Sequence, residues 1–187
     1  MANNQNRVIA LGFFDGVHLG HGALLRAVTT ATDRLGAVPC AFTFDQHPGA
    51  AITGQSVPLL SSVEDRIWLM RHYYGIKEVI VASFDAMMRM DWEDFILQYL
   101  VQELGVVHVV AGHDFHFGYM GKGNPERLRE KCAQLGIGCD IIPKVTQDGI
   151  TISSTYIRTL IAQGEMERAT QFLGHPHTLS DRVAHGK

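Results

Sequence analysis

Two histidines three residues apart, His18 and His21, close the stretch Leu11-Gly12-Phe13-Phe14-Asp15-Gly16-Val17-His18-Leu19-Gly20-His21. Far along the chain, Arg158 follows a hydroxyl-rich run, Ser153-Ser154-Thr155. Imidazoles donate hydrogen bonds to phosphate oxygens and carry a proton near neutral pH. A spacing of three puts His18 and His21 on one face once a helix has started, and Gly20 between them lets the backbone approach a ligand closely. The chemistry that suits these residues is the binding of an anion, with a phosphate as the expected guest. An isolated pair with this spacing reads more plainly as helix-start histidines that cap or face solvent. The surrounding Gly12, Asp15, Gly16 and Gly20 shift that balance.

The elements that must position these groups follow from hydrophobic spacing. The apolar run Val8 to Phe14 predicts a buried strand, and Leu24, Leu25, Val28 and Leu35 give Leu19 to Leu35 helical periodicity. A strand, a glycine-bearing turn and a helix start lie together at the carboxyl edge of an open parallel sheet. There the free N–H groups of the helix offer a partial positive charge to an anion. The second cluster has the same logic: a hydroxyl caps a helix over Tyr156 to Gln163, and Arg158, about one turn in, leans back toward its N-terminus. Arg158 can then reach the phosphate that the histidines face.

A third segment, Gly112 to Asn124, places four glycines with aromatic, acidic and basic residues just beyond the apolar run Val106 to Ala111. Such a loop can come close to a ligand and stack on a planar ring through Phe117 or Tyr119. Read blandly, it is a glycine-rich turn whose aromatics fold back on the core. Its spacing fits neither a P-loop nor a dinucleotide-binding fingerprint. His108, His113 and His116 do not make a metal site, because alternation along a strand does not bring the three together.

Between these segments, strands are predicted over Ala37–Phe44, Lys77–Ala82 and Gly138–Pro143. Helices are predicted over 62–74, about 91–104, 125–135 and 165–173. Ala50 to Leu60 and Ser83 to Met90 read as connections. Trp92, Phe95, Ile96 and Leu100 form a stripe that should face the core, and Met87, Met88 and Met90 read as adaptable packing. Strand and helix alternate throughout, which implies right-handed parallel βαβ units. The expected fold is α/β, a Rossmann-like doubly wound parallel sheet of about five strands with helices on both faces.

At 187 residues one domain can bury about 70% of its unfolded surface. A net charge of -3 with 19% charged residues argues against nucleic acid as the main partner. The polar N-terminus lacks an apolar signal core and no run is long enough to span a membrane, so the expectation is a cytoplasmic protein without a membrane partner. Cys40, Cys132 and Cys139 have no paired spacing, and neither a disulfide framework nor a zinc site is expected.

The motif Gly12-Phe13-Phe14-Asp15-Gly16-Val17-His18-Leu19-Gly20-His21 resembles the HxGH signature of the nucleotidylyltransferase superfamily. Its GxFDGVHxGH form is most similar to the FMN adenylyltransferase module of bacterial bifunctional FAD synthetases. Ile152 to Arg158 resembles the superfamily's ISSTxxR motif, and Gly112 to Asn124 the GxDFRFGxxxxGD loop, with His116 in place of the arginine and Asn124 of the aspartate. Asp45 to Pro48 is similar to the FEPHP-like segment, with Gln46 where proline is usual. The resemblance implies FAD synthesis: AMP passes from ATP to FMN and pyrophosphate leaves. It implies catalytic roles for His18, His21 and Arg158, and ATP or phosphate contacts for Gly12, Phe13, Asp15, Gly20, Ser153, Ser154 and Thr155. It implies flavin or nucleotide contacts for His47, Pro48, Gly112, Asp114, Phe115, Phe117 and Gly121.

ATP and FMN would be substrates, with Mg²⁺ held by phosphates and no metal ligands from the protein. The resemblance covers residues 1–176 as an adenylyltransferase domain, and residues 177–187 look like the opening of the riboflavin kinase module that is its covalent neighbour in the family. The alternatives are another HxGH-type adenylyl- or cytidylyltransferase, since HxGH and ISSTxxR specify the nucleotide better than the acceptor, or a weakened regulatory module that binds flavin or nucleotide.

Overall fold

The computed structural model describes residues 5–180. Residues 181–187, most of the stretch that looks like the start of a kinase module, lie outside the described residues, as do residues 1–4.

Five parallel strands form one sheet in the order β3-β2-β1-β4-β5. They are β1 (Arg7–Leu11), β2 (Val38–Phe44), β3 (Glu78–Ala82), β4 (Val106–Gly112) and β5 (Gly138–Ile142). The α/β class and the doubly wound parallel sheet are as expected. Every residue of β1 is buried, so its sequence shows no alternation, yet the pleat divides it. Ile9 and Leu11 face one layer, with Phe42, Val109, Ile96, Leu100 and Leu128. Val8 and Ala10 face the other, with Leu25, Val28, Leu69 and Met70. The first layer is supplied by α5 (Trp92–Asp94), which winds on as a π-helix over Phe95–Glu103, and by α6 (Pro125–Leu135). The second comes from α1 (Leu19–Leu35) and α3 (Val63–Tyr74). Strand order reverses between β1 and β4, and at such a switch point the carboxyl ends of the strands leave a crevice.

Helix limits follow local capping. Ser62 and Asp65 form a reciprocal capping box at α3, Asn124 caps α6 with Pro125 at its first turn, and Gly36, Gly75 and Gly136 end α1, α3 and α6 in left-handed conformation. α7 (Ser154–Ala162) starts two residues earlier than expected, with Ser153 as its cap. α8 (Met166–Leu173) packs on it through Leu160, Ala169 and Phe172.

Four expectations need correction. The strand expected to run to Phe14 stops at Leu11, because Phe14 takes up a left-handed backbone at φ 58° and turns the chain. The connection beyond Ala50 holds the end of a short helix, α2 (Pro48–Thr53), begun by a cap from His47. The linker after Ser83 holds one helical turn, α4 (Phe84–Met87). A two-residue hairpin, β6 (Thr146–Gln147) with β7 (Ile150–Thr151), was not expected. Asp148-Gly149, both at positive φ, is its turn and the sequence signal for it.

Candidate active site

The carboxyl end of the sheet opens into a cleft of about 1260 Å³. All of the residues singled out from the sequence for binding or catalysis line it, from Gly12 and His18 to Phe117 and Arg158. Three segments meet there: the turn after β1, the loop after β4 and the start of α7.

The turn after β1 is held in a costly shape. Phe14 at φ 58° and Val17 at φ 43° are non-glycine residues in the left-handed region, and for β-branched Val17 this is a rare conformation. Such strain is worth about 1–3 kcal/mol per residue and persists only where neighbours over-determine it. They do so here. The Asp15 carboxylate, 2% exposed, accepts from the amides of Leu60 and Ser61 at 2.9 and 3.1 Å, and Ser154 Oγ donates to the Asp15 carbonyl at 2.9 Å. The Gly16 amide donates to Ser61 Oγ at 2.8 Å.

His18 and His21 come together differently from the sequence reading. His18 is the cap of α1, in extended backbone before the helix, so the two do not share a helical face. Its Nδ1 accepts from the His21 amide at 3.2 Å, and the two rings stack at 3.6 Å between centroids with 11° between planes. Because Nδ1 is the acceptor, the proton of a neutral His18 sits on Nε2 and is available to a ligand. Gly20 makes this possible, since a β-carbon there would lie 3.1 Å from the His18 ring.

The histidines also differ from expectation in charge. Burial pushes His18 down to about 4, and its neighbours His175 and Arg158 add to the shift. Burial likewise takes His21 well below its ordinary range, with His18 and Arg66 adding to the shift. Both rings are therefore neutral at neutral pH in the protein alone. In the unfolded chain each binds a proton near pH 6.5, so between that value and about 4 the unfolded state holds more protons. Stability should be full above about pH 6.5 and fall on acidification, by on the order of 3 kcal/mol from His18 alone by pH 4. Unfolding free energies measured across this range should show it, and His18→Gln should flatten the slope; an equally steep slope in that variant would reject the assignment.

Arg158 reaches the same place from α7. One of its terminal nitrogens donates to Asp15 Oδ2 at 2.8 Å. Its Nε and the Nδ1 of His21 are buried atoms without a hydrogen-bond partner among the described residues. Two unpartnered nitrogens lining one cleft are costly unless a ligand completes them. The first turn of α7, with Ser153 capping and Thr155 beside it, supplies free amides next to the first turn of α1.

The far side of the cleft is aromatic. His47 caps α2 and meets the Phe13 ring edge-on at 4.9 Å, with Pro48 behind it. Phe117, 6% exposed, packs against Phe95 and stacks on Phe115 at 5.6 Å. Tyr119, 51% exposed, is the open aromatic of the loop. Gly112 and Gly121 line the cleft, and the Asp114 carboxylate is largely in solvent. His108 points elsewhere: its Nε2 pairs with Asp140 at 2.9 Å across β4 and β5.

Sequence reading missed several supporting groups. Arg66 of α3 is fully buried, donates to the carbonyls of Phe13 and Phe44 and to Thr43 Oγ1, and stacks on the Phe13 ring at 4.3 Å. The signal was an arginine three and four residues before Leu69 and Met70, in register with the core face of its helix. Ser61, Met87, Met88 and Lys144 were not singled out for the site, and the last three line the cleft.

Comparison with known proteins supplies names for this arrangement. The family model described as FAD synthetase matches residues 1–156. The chain is 38% identical over 184 residues to the bifunctional riboflavin kinase/FMN adenylyltransferase of Listeria monocytogenes, an alignment covering 97% of this chain and 58% of that protein. It is 30% identical over 189 residues to the FAD synthetase of the same species, covering 99% and 75%. The chain thus spans rather more than half the length of the bifunctional relative. A crystal structure described as a macrolide-efflux protein from Streptococcus pneumoniae shares the fold, with a TM-score of 0.80 and 26% identity over 92% of this chain and 56% of that one.

Proposed function

The chain belongs to the FAD synthetase family, and from that premise we propose that it makes FAD by moving the adenylyl group of ATP onto FMN. A phosphate oxygen of FMN forms the new bond to the α-phosphorus, the bond from that phosphorus to the bridging oxygen breaks, and pyrophosphate leaves. The nucleophile is already anionic, so the protein must position two substrates and relieve charge, and no serine or cysteine nucleophile is required.

The observation that carries this reading is the convergence of the His18 and His21 pair, Arg158 and two helix starts on one side of a cleft whose other side is aromatic. Its volume, about 1260 Å³, exceeds that of a typical single-ligand pocket and suits two substrates side by side. His18 Nε2, His21 and Arg158 would donate to phosphate oxygens as negative charge grows on the α-phosphate and the departing pyrophosphate, the electrostatic contribution that dominates such reactions. The anion itself would draw the neutral imidazoles toward their protonated form. Gly12, Phe13, Gly20, Ser153, Ser154 and Thr155 would shape the phosphate side. Asp15 acts through Arg158. His47, Pro48, Gly112, Asp114, Phe115, Phe117 and Gly121 would form the flavin side, where Tyr119 is the open ring.

Mg²⁺ carried in by the triphosphate would supply neutralisation of its charge. The Asp15 carboxylate is engaged by two amides and Arg158, so the reading is of an ion carried by phosphates and water. Among the described residues no helix is long and apolar enough to cross a membrane. A cytoplasmic setting, small-molecule substrates rather than nucleic acid, a transferase domain over residues 1–176 and a kinase-module opening over 177–187 belong to the same reading.

The test is incubation of the protein with Mg²⁺, ATP and FMN, with FAD and pyrophosphate as the expected products. CTP in place of ATP, and other phosphorylated acceptors in place of FMN, should give little. Binding of FMN and ATP without product would instead make the chain a regulatory module. Gly20→Ala offers a narrower check: the added methyl displaces the His18 ring, and FAD formation should fall by about tenfold or more while thermal stability holds or rises, since alanine favours the helix. Unchanged turnover would show that the ring stack is irrelevant.

A further inference from the structure

One buried imidazole has no part in the mechanism above. His175 follows α8 in the segment Gly174-His175-Pro176 and is 5% exposed. Its Nε2 lies 3.0 Å from the carbonyl oxygen of Gly16, its Nδ1 lies 2.9 Å from that of Pro176, and the ring of Tyr73 from α3 stacks on it at 5.3 Å. Both carbonyl oxygens only accept, so the contact with Gly16 is a hydrogen bond donated by His175 when Nε2 carries the proton, and the contact with Pro176 is one only when Nδ1 carries a proton as well.

Gly16 is the middle of the strained turn that presents His18. Its amide is held by Ser61, and its carbonyl is held by His175. The residue before His175 contributes too: Gly174, at φ 79°, abuts the Leu19 side chain so closely that a β-carbon there would clash. Gly174 and His175 thus bracket His18, one against the residue that follows it and one on the carbonyl two residues before it. The other holds on this turn come from residues 43 to 66 or from Ser154 and Arg158 of α7, whereas His175 lies beyond α8, 159 residues from Gly16.

We infer that His175 is a positioning residue: its Nε2–H fixes the Gly16 carbonyl, keeps Phe14 and Val17 in their left-handed conformations, and so sets where the His18 ring stands above Gly20. This rests on the transferase reading for its effect on rate, although not for its effect on the turn. Without this hydrogen bond Val17 can relax toward an ordinary backbone conformation, and the cap and ring stack of His18 move with it.

The test compares His175→Gln, whose amide nitrogen can take the place of Nε2, with His175→Asn, whose shorter amide cannot reach Gly16. The asparagine variant should lose on the order of tenfold in kcat, with KM for FMN nearly unchanged, and the glutamine variant should recover most of it. In parallel, the imidazole NMR signals of His18 and His21 should shift in the asparagine variant and stay near those of the parent in the glutamine variant. A merely structural His175 would lower the thermal midpoint of both while leaving kcat and the His18 signals of the folded protein alone. If the parent protein makes no FAD, the reaction assignment fails, and the NMR comparison alone decides the role of His175. Unmoved His18 and His21 signals in folded His175→Asn overturn the inference in either case. Should the asparagine variant fail to fold, His175→Phe, which keeps a ring against Tyr73 but has no donor, takes its place with the same expected outcome.

Discussion

Replacing His21 or Arg158 by alanine should lower FAD formation by on the order of 10²-fold or more while the fold is kept. On the proposed reading the two substitutions remove donors aimed at charge that grows in the transition state, so kcat should fall with kcat/KM. Folding should survive because little is disconnected. The His21 side chain has a buried nitrogen with no partner among the described residues, and its backbone amide, which donates to His18, remains in the alanine variant. Arg158 contributes one ion pair, and Asp15 keeps its two backbone donors when it is gone. Arg158→Ala should therefore lower the unfolding midpoint somewhat through the uncompensated buried carboxylate, whereas His21→Ala should scarcely do so. Steady-state kinetics for both substrates, with circular dichroism for the fold, decide the matter. Near-parent turnover in either folded variant would refute the assignment.

Asp15→Ala should be damaging in two ways at once. The carboxylate is 2% exposed and gathers Leu60, Ser61 and Arg158 around one point, so its loss strands two amides and a guanidinium. Breaking a buried charge pair from one side costs about 3–5 kcal/mol. Activity should fall at least as far as in Arg158→Ala, since the arginine loses the group that aims it. Asp15→Asn separates the effects: the amide oxygen still accepts from the backbone, so stability is partly kept, but its NH₂ cannot serve Arg158 and turnover stays low. In a double-mutant cycle, Asp15→Ala and Arg158→Ala should be far from additive in kcat, because each removes the same unit. Additive losses would mean that Asp15 acts independently of Arg158.

The residues behind these two predictions were legible in the sequence to different degrees. His18, His21, Ser153 and Arg158 were visible because their chemistry and spacing are local: a glycine turn and a hydroxyl cap are written in a few consecutive positions. Asp15 was visible as part of the motif, but not its engagement by Arg158 and by the amides of Leu60 and Ser61, which lie 45 and 46 residues on. Arg66 and His175 were not seen: the register of Arg66 with Leu69 and Met70 was its one sign and does not say which turn it will meet, and a histidine after a helix carries no local sign of burial. The same distinction runs through the fold. The long periodic elements, α1, α3 and α6, were expected nearly to the residue, while β6, β7 and α4 were too short for periodicity to register.

By itself the sequence determined the alternation of strand and helix, hence the parallel sheet, and the two motifs, after β1 and at the start of α7, that the proposed reading takes as anion sites. Hydrophobic period and capping chemistry depend on neighbours within a few residues, so they survive being read in one dimension. The tertiary structure decided how the motif works. It made His18 a cap rather than a member of the helix, stacked its ring on His21, removed the charge from both by burial, and tied Arg158 to Asp15. It also forced Phe14 and Val17 into left-handed backbone that no local preference would choose. Those outcomes rest on contacts between segments 45 to 159 residues apart, formed by Ser61, Ser154 and His175, and packing energy gathered across the whole domain is what holds a locally unfavourable turn in place.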